Sequence, residues 1–85
     1  MDKNFLCAKM KMHGDTQADL AEALGISLGQ TNAKINETRG AEFTQREIFI
    51  IKSRYQLTAE EVDKIFFGEK VSKKILSKLK EKRRN

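Results

Sequence analysis

The sequence predicts an all-α fold: a compact five-helix bundle followed by a basic C-terminal tail that can form a further helix. Three observations predict it. First, the chain holds four boxes of the form Ser/Thr-x-x-acid or amide: Thr16 to Asp19, Ser27 to Gln30, Thr44 to Glu47 and Thr58 to Glu61. In such a box the hydroxyl accepts from the amide three residues on, and the acid or amide side chain reaches back to the cap residue's own N–H. Asp19 is a shorter, weaker closing residue than Glu or Gln. Second, apolar residues after each box recur at helical spacing, and no segment is a convincing strand. Third, there is no proline, so glycines and caps must end the helices.

The first helix is expected from about Asn4 to His13, with Gly14 as its stop and Phe5, Leu6 and Met10 inward. The second runs from Gln17 to Leu24, turning Leu20, Ala21 and Leu24 inward, and Gly25 supplies a residue that takes positive φ. The third follows Ser27 and ends near Asn36 or Glu37, and Thr38–Glu42 is a loop. The fourth runs from about Gln45 to Tyr55, with Ile48, Ile51 and Tyr55 on one face. Its Ile48–Ile51 run is β-favourable, but the capping box and flanking charges argue for helix. The fifth runs from about Ala59 to Phe67, with Val62, Ile65 and Phe66 inward. Hydrophobic staples support both: Phe43 pairs with Ile48, and Leu57 with Val62. After Gly68, the residues Val71, Ile75, Leu76 and Leu79 fall within about 140° of a helical wheel, with lysines on the other side.

An 85-residue chain makes one domain, with room for one core and not for a large substrate cleft besides. It divides into residues 1–68 and a tail, 69–85. The net charge is +5 and unevenly spread. Residues 1–68 carry nine basic and ten acidic side chains, residues 69–85 eight basic and two acidic, so the positive excess lies in the tail. Such a tail suits a polyanion, nucleic acid or an anionic membrane, although a solvated tail would have the same composition.

Other functions find little support. No apolar run reaches the ~18 residues of a membrane span, and the N-terminus lacks a signal-peptide pattern. The single Cys7 fits a reducing compartment and reads as a small apolar filler. One histidine, His13, is too few for a His/Cys zinc site or a Ser/His/Asp arrangement. It ends the first helix, where the dipole favours a cation. Met10 and Met12 read as packing, and Glu60, Glu61 and Asp63 as an acidic helix start. Gly68-Glu-Lys-Val lacks the rest of a phosphate-binding loop. No enzyme, cofactor or metal is expected.

The informative segment is 16–36. A helix capped by Thr16 ends at Leu24-Gly25, and the cap Ser27 starts another almost at once. Helices joined by so short a turn cross steeply and need a small residue where they touch, which Ala21 provides; Leu20, Leu24 and Ile26 seal the angle. This is a helix-turn-helix, whose second helix can enter a DNA major groove. Thr16-Gln17, Leu20-Ala21 and Leu24-Gly25-Ile26-Ser27 resemble the signature of lambda-repressor-like, Cro-type helix-turn-helix regulators. Lys34-Ile35-Asn36, Ala41-Glu42-Phe43-Thr44 and the stretch from Leu57 to Phe67 are similar to small phage regulators of that superfamily. The resemblance covers about residues 4–67. It implies a five-helix bundle that binds operator DNA, usually as a homodimer, in the cytoplasm of a bacterial host.

Where the family commonly has a large apolar residue, this chain has Thr31, and Lys34 takes the next apolar position. Leu28, Thr31 and Ile35 form a stripe of their own, which favours a rotated third helix with Gly29, Gln30, Ala33 and Lys34 outward. In the usual phase Ser27, Leu28, Gly29, Asn32, Ala33 and Asn36 would face DNA. Gln30 or Asn32 can pair bidentately with adenine, Ala33 can touch a thymine methyl, and Lys34 can reach guanine or phosphate. Gly29 permits close approach, and Gln17 matches the family's phosphate clamp. The expected function is thus a sequence-specific transcriptional regulator. Two alternatives stay open. One is the same fold used as a protein-interaction module, suggested by polar Thr31 and the charge of 1–68. The other is a membrane-surface module acting through the tail.

Overall fold

The computed structural model describes residues 1–72, with side chains as far as Gly68. Five helices form there, and no strand: α1 Lys3–Met12, α2 Gln17–Leu24, α3 Leu28–Ile35, α4 Gln45–Arg54 and α5 Ala59–Val62. A 3-10 turn, Thr38–Gly40, separates α3 from α4. Beyond α5 the helix widens to π geometry over Asp63–Ser72, so helical backbone runs past the boundary expected at Gly68. The sixth helix expected in the tail lies outside the described residues from 73 on. No helix among the described residues is long and apolar enough to cross a membrane.

All four expected capping boxes close. The hydroxyls of Thr16, Ser27, Thr44 and Thr58 accept from the amides of Asp19, Gln30, Glu47 and Glu61 at 3.0–3.1 Å. The reciprocal contacts to the cap residues' own amides run from 2.8 to 3.0 Å. Each cap typically contributes about 1 kcal/mol, and together they set where α2 to α5 begin. The start of α1 has a cap that the spacing of the boxes did not reveal: Asp2 Oδ1 accepts from the Phe5 amide at 3.1 Å. Gly25 ends α2 at φ 73°, a conformation that favours glycine.

One core joins every helix. Leu6 and Met10 of α1, Leu20 and Leu24 of α2, Ile35 of α3, Ile51 of α4 and Ile65 beyond α5 are buried together with Phe43, Tyr55 and Leu57. Ile48 and Val62 pack against this cluster beside their staple partners. Ala21 is buried and its carbonyl accepts from the Ile26 amide at 3.1 Å, so the α2–α3 turn closes directly over the small residue.

Polar links tie the ends of the bundle. Asp15, between α1 and α2, accepts from Arg54 Nη2 at 2.9 Å and from the Tyr55 hydroxyl at 2.8 Å. The Arg54 hydrogen bond holds its carboxyl below the usual carboxylate range, against burial and with help from Tyr55. Burial and the same carboxylate push the Tyr55 phenol up. The Asp2 amide donates to the Ile65 carbonyl at 2.7 Å, and the N-terminal ammonium meets Glu37 at 2.9 Å. The first residues are thereby stitched between the end of α3 and the last helical stretch.

Candidate nucleic-acid interface

The burial pattern of α3 decides its rotation. Thr31 and Ile35 are buried and Lys34 is half-buried, an i, i+3, i+4 stripe centred on the core. Leu28 instead stands 52% exposed in the first turn. This corrects the rotated phase favoured by the Leu28, Thr31, Ile35 stripe. The structure has the other phase, in which Ser27, Leu28, Gly29, Asn32 and Asn36 are exposed and Ala33 is half-buried.

Thr31 fits the core without a partner molecule. Its hydroxyl donates to the Ser27 carbonyl one turn back at 3.0 Å, so its polar atom is satisfied within α3. Lys34 does not point freely outward as the rotated phase has it, which is the second correction. Its Nζ lies 2.7 and 2.8 Å from the two carboxylate oxygens of Glu47, the closing residue of the α4 box. Glu47 is only 4% exposed. Burial works to raise its pKa, but the hydrogen bonds from Lys34 and the Thr44 amide outweigh it and hold the carboxyl below its usual range. The stem of Lys34 thus lies on the core side of α3, and its charge welds α3 to the start of α4. The sequence pattern does not reveal Glu47 as its partner, because the two are thirteen residues apart across a loop.

Gln30 is exposed, but its side-chain oxygen accepts from the Ser27 amide at 3.0 Å. That contact draws the amide group back along the first turn of α3.

The remaining candidates form one connected row. Asn32 Nδ2 donates to Gln17 Oε1 at 3.1 Å, which joins the face of α3 to the first residue of α2. Asn36 Nδ2 donates to Asn32 Oδ1 and to the Asn32 carbonyl, both at 3.0 Å. Lys3 Nζ then donates to Asn36 Oδ1 at 2.9 Å. Sequence spacing brings Gln17, Asn32 and Asn36 forward separately; the structure adds that they touch and that Lys3 completes the row. No local signal marks Lys3, because it reaches α3 only through the packing of α1. Gly29 lies on the same outward side, where an added Cβ would meet nothing nearer than Ser27 Oγ at 3.9 Å. The assembled face is an amide row beside an exposed leucine and a bare glycine, with its one lysine at the far end.

Comparison with models of known families, with curated proteins and with solved structures found no match.

Proposed function

We propose that this chain is a sequence-specific DNA-binding transcriptional regulator that places α3 in the major groove and acts as a homodimer without catalytic activity. The observation that carries the reading is the connected row Gln17, Asn32 and Asn36, held on the outward face of a helix that follows a three-residue glycine turn. Amide side chains fixed in this way suit base edges, and a turn this tight lets α3 stand clear of the body. The resemblance of residues 16–27 to Cro-type regulators supports the same function, with a bacterial cytoplasm as its setting. Lys3 and Arg39 flank the C-terminal end of α3, and the basic residues of 69–85 add the charge that phosphates attract.

The test is anisotropy of labelled duplexes, drawn from a random pool by selection, titrated with the full chain at several salt concentrations. Enrichment of one sequence and a log-affinity that falls linearly with log salt are expected. Failure to enrich any duplex would remove the reading.

A second reading, a protein-interaction module, is favoured by one observation. Phe43, Ile48, Phe66 and Phe67 line a groove together with Met1 and the charged Lys34, Glu37 and Glu42, and Phe67 is 40% exposed. Thr31 no longer argues for it, since its hydroxyl is satisfied inside α3. Indifference to duplexes together with specific capture of a protein would favour this reading.

A further inference from the structure

We propose that the α3 face selects A·T base pairs, with Asn32 reading an adenine and Leu28 a neighbouring thymine methyl; the inference rests on the DNA-binding reading and names its target class. Three observations carry it.

The first concerns charge. Guanine is read in the major groove chiefly by the bidentate fork of Arg, or by Lys, on O6 and N7. Residues 27–36 contain no arginine, and their one lysine, Lys34, is committed to both oxygens of Glu47. Lys3 meets the amide row only at its end, on Asn36. The centre of the face therefore lacks the usual guanine readers.

The second is that Asn32 is oriented before any DNA arrives. Gln17 Oε1 takes one hydrogen of its Nδ2, and Asn36 Nδ2 donates to its Oδ1. These two contacts fix which end of the amide is nitrogen and which is oxygen. An amide has two N–H donors and an oxygen with two lone pairs, so one donor and one lone pair remain. Adenine N7 and N6–H2 require one donor and one acceptor.

The third is Leu28. A single exposed leucine on a protein surface is ordinary. This one stands on α3 one turn before Asn32, on the same side of the helix, and is 52% exposed on an otherwise polar face. In the major groove the apolar feature within reach is the C5-methyl of thymine. Gly29 beside it has no side chain to hold the helix away from the base edges.

The experiment uses the full chain and its best selected duplex. Single adenines are replaced by 7-deazaadenine, which lacks the N7 acceptor but still pairs. Single thymines are replaced by uracil, which lacks only the methyl. One deaza position is expected to weaken the natural chain several-fold and to leave Asn32→Ala unaffected. Asn32→Ala itself should lose roughly 5- to 150-fold on the selected site. Uracil at a neighbouring position should weaken the natural chain about 4-fold and leave Leu28→Ala unaffected. Both residues are exposed, and the modified duplexes report on the unaltered protein should either variant fold poorly. A selected motif built on G·C pairs, or deaza and uracil probes that are silent at every position, would overturn this inference while DNA binding stands. No salt-dependent, sequence-selective binding at all would overturn both.

Discussion

Lys34→Ala is expected to destabilise the fold rather than only trim a DNA contact. The substitution leaves the Glu47 carboxylate, 4% exposed, without the cation that touches both of its oxygens. Breaking a fully buried pair from one side costs about 3–5 kcal/mol. Here Glu47 keeps the Thr44 amide, and the Lys34 side chain is itself 19% exposed, so water shares part of the charge. The expected loss is about 2–3 kcal/mol at neutral pH, or roughly 10–20 °C in Tm for a domain of this size. The pH dependence has a definite sign. In the natural chain the Glu47 pKa is lowered by folding, so its contribution is present above the unfolded carboxyl pKa and fades as pH falls through the folded one. Without Lys34, burial is opposed only by the Thr44 contacts, so that pKa is less depressed than in the natural chain and the variant loses less than the natural chain as Glu47 takes a proton. The gap between the two proteins should narrow as pH falls through the carboxylate range. Urea melts across pH check this, together with a double-mutant cycle using Lys34→Met and Glu47→Gln. The cycle should show a coupling of about 1–3 kcal/mol, with the double variant more stable than Lys34→Met. A Lys34→Ala protein within about 0.5 kcal/mol of the natural chain would refute the weld.

Further expectations follow from other parts of the structure. Ala21→Leu should cost roughly 1–3 kcal/mol in urea melts and weaken DNA binding, because the α2–α3 turn closes over the alanine. Gly29→Ala should stabilise α3 by about 0.5–1 kcal/mol, since nothing crowds the new methyl, yet weaken duplex binding if the backbone approaches the bases; melts and anisotropy separate the two effects. Asp15→Asn should cost about 1–2 kcal/mol, the lower end reflecting the exposure of Arg54, and the loss should shrink as pH falls through the depressed Asp15 pKa in pH-resolved melts. Replacing Lys73, Lys74, Lys78 and Lys80 by Gln in the full chain should flatten the salt slope of duplex binding by about 0.9 for each phosphate that is no longer neutralised, as read from log affinity against log salt.

The starts of α2 to α5 were legible in the sequence because a capping box is a local event: Thr16, Ser27, Thr44 and Thr58 each find their partners within three residues. The core was legible for a similar reason, since Leu20, Ala21, Leu24, Ile51 and Ile65 recur at the helical period. The rotation of α3 was not. Leu28, Thr31 and Ile35 make a plausible stripe by spacing, but the core meets α3 on the side of Lys34, and only the buried Glu47 thirteen residues away makes a lysine acceptable there. Likewise Gln17, Asn32 and Asn36 were each nameable by residue type. Their meeting depends on the α2–α3 crossing and on α1 bringing Lys3 alongside. The π geometry beyond Val62 had no sequence signal that helical periodicity could reveal.

The most direct test of the central claim is an amide chemical-shift map of the full chain, titrated with its best selected duplex. The largest shifts are expected on Gln17, Leu28, Gly29, Asn32 and Asn36, with the Asn32 side-chain amide among the strongest. Shifts centred instead on Phe43, Ile48, Phe66 and Phe67, with α3 unmoved, would contradict it.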